Sequence, residues 1–182
     1  MNEPFDDLND FRNAAWKVMN VPLRRMPRVS LATVDQLGAP QLRTLVLRGA
    51  NKQDGTVELH TDAASQKVPQ LENDPRAAVL IWDETAMIQI RLMGEITIKS
   101  DASLSNIWAQ LPSVTQGNYG VMPPPGSKIA AGDNYSRKAD AGKFAILELK
   151  IQTMDLVQLQ EPSHRRALYD QSDNWGGQWL AP

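Results

Sequence analysis

The chain has 182 residues, of which 42% are hydrophobic, and its 19 basic and 21 acidic residues leave a formal charge of -2. This composition predicts one globular domain over residues 1–182 with a full hydrophobic core. The near balance of charge excludes a global field that would attract nucleic acid or an anionic membrane. Any anionic ligand therefore has to meet a local cluster of basic groups.

Cysteine and histidine usage excludes further classes of protein. The sequence has no cysteine, and its histidines are His60 and His164, which excludes disulfides, thiolate metal sites and a cysteine nucleophile. No metal is expected. The longest apolar run, AAVLIW at 77–82, is too short to cross a bilayer, and the acidic start MNEPFDDLND lacks the positive charge of a secretory signal. These features favour a cytoplasmic protein.

The first half of the chain predicts a helix, three strands and a second, shorter helix. Residues 5–19, FDDLNDFRNAAWKVM, place apolar side chains at helical spacing and predict an N-terminal helix. Strands are expected at 28–34, 41–48 and 56–61, the first two joined as a hairpin by QLGAP. Asp62 is the expected N-cap of the second helix, which tolerates Pro69 only near its start or at a break.

The second half predicts more strands and one long interruption. Further strands are expected at 76–82, 87–98, 144–159 and 165–170, with a short helix at 101–111 capped by Asp101. Between them, residues 112–143 are rich in Pro, Gly and polar side chains and predict an irregular excursion. The many antiparallel links indicate a mainly β fold, a β-barrel with peripheral helices.

The segment RTLVLR, residues 43–48, places two arginines in an otherwise apolar strand. An isolated guanidinium is costly to bury without an anionic partner. Because successive strand residues face opposite sides, Arg43 and Arg48 should not share one partner atom. A half-exposed edge strand with surface ion pairs is the alternative interpretation of the two arginines.

The segment HTDAASQK lies downstream and offers groups that suit a phosphate. Thr61, Ser65 and Lys67 surround a predicted strand-to-helix junction, where hydroxyls, an ammonium group and free backbone N–H groups can bind an anion. We therefore expect a phosphorylated ligand.

Five segments together resemble a known family. RTLVLR, HT, SQK, ENDPRAAVLIW and IQIRLMGEI are similar to the FMN-binding split barrel of the pyridoxamine 5'-phosphate oxidase family, and the match runs from about Val29 to Pro182. The resemblance implies an antiparallel barrel of Greek-key type. It also implies FMN as cofactor, a homodimer with FMN at the subunit interface, and a small-molecule redox substrate.

The resemblance also implies a set of cofactor-binding residues. They are Arg43, Thr44, Leu45, Val46, Leu47, Arg48, His60, Thr61, Ser65, Gln66, Lys67, Gln89 and Arg166. Lys67 matches the phosphate-binding lysine, Gln89 the glutamine that contacts the flavin ring, and Arg166 a flavin-binding arginine. Gln89 could equally be a polar residue on a sheet face. No residue is expected to be catalytic, and His60 and His164 are expected to pack or to border the ligand.

Several positions depart from the family pattern on the cofactor side. Gln66 stands where the family usually has arginine, Leu156 takes the place of a tryptophan, and Trp179 replaces the arginine of R-L-A-P. Trp175 and Trp179 are expected to cover a core or a subunit interface.

The substrate side departs further. The family's R-L-H becomes Pro162, Ser163 and His164, and its helical Y-x-x-x-R becomes Ile107 and Leu111. Losing two or three charge-assisted contacts, at roughly 1.5 to 3 kcal/mol each, costs orders of magnitude in affinity. The vitamin B6 phosphate site is therefore expected to be absent.

One segment is closer to a divergent, oxidase-related branch of the family. Gln116, Tyr119 and the run from Pro123 to Gly126 approximate that branch's Q-F-x-W-P-x-P-G motif. The prediction is an FMN-dependent oxidoreductase of unknown substrate. The alternative is a flavin- or haem-binding module without turnover.

Overall fold

The computed structural model describes residues 4–22 and 26–182. Its elements in chain order are α1 (Leu8–Met19), β1 (Arg28–Val34), β2 (Pro40–Asn51), β3 (Thr56–Asp62), α2 (Lys67–Asn73), β4 (Arg76–Asp83), β5 (Ile88–Lys99), α3 (Ser105–Gln110), α4 (Ser113–Gln116), β6 (Val121–Met122), β7 (Ser136–Arg137), β8 (Phe144–Gln158), β9 (Arg165–Asp170) and β10 (Gln178–Leu180). Short 3-10 helices cover Ala102–Leu104, Ala141–Lys143 and Gln171–Asp173.

The main sheet closes into a barrel. Strands β8, β3, β2, β1, β4 and β5 pair in that order, all antiparallel, and β5 pairs back with β8. The order β3-β2-β1-β4 is a Greek key, because the fourth strand lies beside the first of three strands joined by hairpins. The predicted fold class is therefore confirmed. Strands β9 and β10 extend the sheet outward from β8.

Alternation of buried and less buried residues along β1 and β5 indicates which side chains point into the barrel. In β5, Ile88, Ile90 and Leu92 are fully buried, while the residues between them are not. Side chains on the inner face fill the barrel as one hydrophobic core, and Phe11 and Met19 of α1 join it. The alternate side chains lie on the outer face of the sheet.

A second, smaller core lies outside the barrel. Leu104, Tyr119, Phe144 and Ile146 form it, and Trp108 and Leu111 pack against it. The segment that contains α3 and α4 thereby covers the outer face where β3 meets β8. Leu111, one of the positions that differ from the family's substrate site, contributes to this packing.

Two of the three predicted helix starts needed correction. Helix α1 begins at Leu8 rather than at residue 5, because the Asp7 side chain caps it by accepting from the Asp10 backbone N–H. The prediction that Asp62 is the N-cap of α2 was wrong. Helix α2 begins at Lys67, and Gln66 is its N-cap residue. Pro69 lies in the first turn of α2. Backbone N–H groups there have no partner within the helix, so a proline is tolerated.

Residues 112–143 are more ordered than the composition predicted. They contain α4 and the two-stranded ribbon of β6 and β7, elements too short to show periodicity. The carboxylate of Asp62 fixes this excursion to β3, since it accepts from the Gly120 backbone N–H at 2.7 Å. Gly120 has φ +105° and a side chain there would meet the Lys138 carbonyl oxygen at 2.3 Å, so glycine is required.

The C-terminal strand β10 was not predicted, although its tail was expected to be held. Trp175 packs against the main core, and Trp179 stacks on Phe11 with ring centroids 6.1 Å apart. In the part of the chain that the structure describes, no helix is both long and apolar enough to span a membrane.

Candidate functional site

A cavity of about 380 Å³ opens on the outer side of β1, β2 and β3. The predicted residues that line it are Thr44, Leu45, Val46, Arg48, His60, Thr61, Ser65 and Lys67. A larger groove of about 830 Å³ runs beside α1, but the acidic side chains in its lining, Asp6, Asp7 and Asp10, outnumber its lysines. The smaller cavity is therefore the one that suits an anion.

Lys67 is one of the cationic residues that line this cavity. Its ammonium group donates to the Thr61 hydroxyl at 3.0 Å and to the Ser65 hydroxyl. Burial, and to a lesser degree Arg43, lower the pKa of Lys67 to about 8, while Asp62 opposes the change. No carboxylate within the described residues forms an ion pair with Lys67. A bound phosphate would supply that missing charge.

Arg48 lines the cavity together with Thr44 and Val46, the residues that alternation along β2 places on the same face. The register between β2 and β3 shifts between Leu47 and Gly49, so Arg48 lies at a bulge. Leu47 itself is fully buried in the main core and lies outside the cavity lining. Neighbouring residues of β2 thus point to opposite faces, Leu47 into the core and Arg48 toward the cavity.

His60 lies in the wall beside Arg48. Its ring meets Phe144 edge-on, with centroids 4.9 Å apart and the planes at 89°. Burial, followed by the positive charge of Arg48, lowers the pKa of His60 to about 4, so the imidazole is neutral at physiological pH. The prediction of a packing or ligand-edge histidine agrees with this position.

Arg43 lies behind the cavity. Its guanidinium donates to the Thr33 hydroxyl at 2.6 Å and to the Gln70 side-chain oxygen at 2.8 Å. These bonds join β1 and β2 to α2, and burial lowers the pKa of Arg43. As the alternation of the strand predicted, Arg43 and Arg48 share no partner. Arg43 supports the wall of the site and is not among its lining residues.

Gln66 is exposed, lies outside the cavity lining and is adjacent to the Pro-rich loop. A side chain at Gly126 would come within 3.0 Å of the Gln66 amide nitrogen, so the loop backbone passes close to it. Pro125 of this loop lines the cavity. The excursion therefore closes one side of the site.

Gln89 and Arg166 lie on the outer face, outside the cavity lining. Gln89 is paired with Val157 in the sheet, and Val157 with Arg166. Residues in directly opposite positions project to the same side, so these three form one row. The Arg166 guanidinium binds the buried Asp155 carboxylate at 2.9 and 3.1 Å, and this hydrogen bond raises the pKa of Arg166. Arg91 binds the same carboxylate.

Leu156, which takes the place of a tryptophan of the family pattern, is fully buried in the barrel core. Its neighbour Val157 faces outward beside Arg166.

The sequence missed some lining residues. Arg28, Asp62 and Asn118 also line the cavity. Alternation along β1 and its pairing opposite Val46 could have placed Arg28 on the outer face. Asn118 comes from the excursion and carries no periodic signal, so only the tertiary structure brings it here.

The positions that differ from the family's substrate-phosphate site lie away from this cavity. Ile107 is 37% exposed on α3. The residues 162–164 lie in the turn between β8 and β9, where His164 Nδ1 accepts from the Gln160 backbone N–H at 3.0 Å. Neither segment contributes to the lining of the cavity.

Comparison with known proteins places the chain in a family. A family model described as the FMN-binding domain of pyridoxamine 5'-phosphate oxidase matches residues 11–100. The pyridoxine/pyridoxamine 5'-phosphate oxidase of Acinetobacter baumannii (strain SDF) is 30% identical over 154 residues, 85% of this chain and 62% of that protein. The crystal structure of a pyridoxamine 5'-phosphate oxidase-related, FMN-binding protein from Nostoc punctiforme PCC 73102 superposes with a TM-score of 0.76 at 26% identity, over 94% of this chain and 97% of that chain.

The chain thus belongs to the pyridoxamine 5'-phosphate oxidase-like, FMN-binding split-barrel family, as predicted. It spans 62% of the length of the first curated oxidases that it matches. A further relative, the dihydrophenazinedicarboxylate synthase of Pseudomonas chlororaphis, is 27% identical over 192 aligned residues, 98% of this chain and 85% of that protein.

Proposed function

We propose that the protein is an FMN-dependent oxidoreductase that does not act on vitamin B6 phosphates. The observation that carries the proposal is the buried ammonium of Lys67, which the Thr61 and Ser65 hydroxyls hold in a cavity without an ion-paired carboxylate among the described residues. A phosphate monoester supplies the charge and the oxygen acceptors that this cluster lacks. The donor set therefore fits the phosphate of FMN.

Different residues of the chain have different tasks in this proposal. Lys67, Ser65 and Thr61 bind the phosphate, and Arg43 fixes β1, β2 and α2 around them. Gln89 and Arg166 face the flavin ring from the outer side of the sheet, with Asp155 holding the Arg166 guanidinium in place. When bound, FMN supplies the hydride and single-electron chemistry that no side chain can.

The outer face of the barrel supports a homodimer. Leu42, Leu80, Trp82 and Met93 project from it with 70%, 38%, 44% and 37% exposure. Sheet pairing places Trp82 directly opposite Gln89, so the apolar surface is continuous with the proposed ring contacts. Contiguous exposed apolar surface of this kind marks an interaction site. In the proposal a second copy covers this face, and FMN lies between the two subunits.

The substrate differs from that of the oxidases in the family. Ile107 and Leu111 cannot neutralise a phosphate, and Leu111 is committed to the second core. One relative is a dihydrophenazinedicarboxylate synthase, which favours a substrate other than a vitamin B6 phosphate. We expect no formation of pyridoxal phosphate from pyridoxamine phosphate.

The test is the visible spectrum of the purified protein before and after addition of FMN. The proposal predicts a flavin absorbance band at about 450 nm, which NADH or NADPH bleaches and air restores. Lys67→Met should bind FMN about tenfold to a hundredfold more weakly, and Lys17→Met, which changes an exposed lysine, is the matched control. A protein that stays colourless with FMN and gains only a Soret band with haem would instead be a haem-binding module.

A further inference from the structure

The amine of Lys67 is both accessible and fixed in position. Lys67 lines the cavity on the outer side of the barrel, so a small molecule that enters the cavity reaches its side chain. The hydroxyls of Thr61 and Ser65, residues that are 3% and 8% exposed, accept from the nitrogen. The Thr61 hydroxyl itself donates to the Asp62 backbone carbonyl at 3.4 Å, which orients its oxygen toward Lys67.

No carboxylate neutralises this amine. Asp62 is the acidic residue of the cavity lining, and its carboxylate has other partners. It accepts from the backbone N–H groups of Ala64 at 2.8 Å and of Gly120 at 2.7 Å. Lys67 forms no ion pair within the part of the chain that the structure describes. The uncharged amine, whose lone pair can attack an electrophile, is therefore favoured over the ammonium ion more than in an exposed lysine.

The lowered pKa of Lys67 affects the rate at which the amine reacts. Burial, followed by Arg43, lowers this pKa to about 8, so roughly a quarter of the side chain is uncharged at about pH 7.5. An ordinary lysine with a pKa of 10.5 is about 0.1% uncharged there. A less basic amine is a weaker nucleophile, and a Brønsted slope of about 0.5, as found for thiols, leaves a net gain in rate of about tenfold.

The charges of the cavity select the electrophile. Arg28 and Arg48 line the cavity together with Lys67, and neither arginine forms an ion pair with a carboxylate in residues 4–22 and 26–182. The cavity therefore attracts a phosphate even while the amine is uncharged. In an acyl phosphate, one oxygen atom separates the phosphorus from the carbonyl carbon. A phosphate held in the cavity thus brings that carbon close to the amine.

We propose that Lys67 is an acylation site for small acyl phosphates, and that its acylation prevents cofactor binding. The amine attacks the carbonyl carbon, a C–N bond forms, and the C–O bond to the phosphate breaks. Inorganic phosphate leaves with the bonding electrons and takes the proton that the nitrogen loses. The resulting amide carries no charge, so the cavity loses the cation assigned to the FMN phosphate. The inference rests on the proposed function, because FMN and the acyl phosphate compete for one cavity.

The experiment follows acetylation of the cofactor-free wild-type protein by acetyl phosphate. Peptide mass spectrometry gives the rate at each lysine, and the exposed Lys17 is the internal control. At about pH 7.5, Lys67 should react at least about tenfold faster than Lys17. The rate at Lys67 should level off above about pH 8, where the amine is mostly uncharged. Saturating FMN or excess inorganic phosphate should slow Lys67 at least about tenfold and leave Lys17 unchanged.

A second reagent tests the role of the phosphate. p-Nitrophenyl acetate transfers the same acetyl group without a phosphate, so its preference for Lys67 over Lys17 should be smaller than that of acetyl phosphate. Equal rates at the two lysines with acetyl phosphate, an equal preference with both reagents, or no protection by inorganic phosphate would each overturn the inference.

The consequence for the cofactor is measured on the same material. Protein acetylated at Lys67 should bind FMN at least about tenfold more weakly, because one charge-assisted contact is lost. Unchanged FMN affinity after acetylation would overturn the inference while the proposed function stands. Failure of the unmodified wild type to bind FMN would refute the proposed function, and protection of Lys67 by inorganic phosphate would still test the acylation site by itself.

Discussion

Replacing Lys67 with methionine should separate stability from cofactor binding. Burial and Arg43 lower the pKa of Lys67 from 10.5 to about 8 in the folded protein without FMN. At about 1.36 kcal/mol per pKa unit, the folded state is destabilised by at most about 3.4 kcal/mol at neutral pH. Solvent screens the half-buried ammonium, and Lys67→Met also loses two hydrogen bonds. We therefore expect the variant to gain only about 1 kcal/mol in free energy of unfolding.

The pH dependence gives the sign of this effect. The folded pKa of Lys67 lies below the unfolded value, so between pH 8 and 10.5 the unfolded chain holds more protons and stability rises with pH. The destabilisation is complete below pH 8 and vanishes above 10.5. Lys67→Met should therefore exceed the wild type in stability at pH 7, and the difference should shrink by pH 10 or so.

Urea unfolding of the cofactor-free proteins at the two pH values measures the stability difference. Quenching of flavin fluorescence measures FMN affinity, which should fall about tenfold to a hundredfold with the loss of one charge-assisted contact. Lys17→Met, which changes a solvated lysine, should alter neither quantity. A variant that is less stable at pH 7 and binds FMN as well as the wild type would refute the reasoning and make Lys67 a structural residue.

Three further predictions follow from the same geometry. Trp82→Glu places a charge on the exposed apolar face and should convert a dimer into a monomer. Light scattering after size-exclusion chromatography measures the molar mass, and an unchanged mass would contradict the proposed interface. Arg43→Ala removes the bonds to Thr33 and Gln70, so the cofactor-free protein should lose about 1–3 kcal/mol in urea unfolding, whereas equal stability would make Arg43 purely a ligand group. NMR of His60 should show a neutral ring between pH 8 and 5, because its pKa is about 4. In the unfolded chain the same histidine takes up a proton near pH 6.5, so the free energy of unfolding should fall as the pH drops from 6.5 toward 4.

The sequence predicted most strands because their patterns are local. Alternation gave β1 and β9 with their observed bounds, and the segments RTLVLR and HTDAASQK contained most of the cavity lining. The elements that it missed, such as β10 and the ribbon of β6 and β7, are only two or three residues long. Elements of that length form only because a partner strand is already in place.

The position of each candidate residue depended on contacts between distant segments. Asp62 looked like an N-cap, but the fold uses it to hold Gly120, 58 residues away in the chain. Leu156 was compared only with a tryptophan of the family, and it is the pairing with β5 and β9 that places it in the core. Such assignments depend on register across turns, and local sequence does not encode register.

By itself, the sequence determined that this protein is a cysteine-free, antiparallel barrel with basic and hydroxyl side chains at the ends of neighbouring strands. Only the tertiary structure decided that Lys67 and Arg48 line one cavity, that Arg43 lies behind it, and that Tyr119 joins it from the excursion. The physical reason is that a side chain's chemistry and strand face are local properties. Burial, charge compensation and the choice of partners arise only when the barrel closes and brings remote segments together.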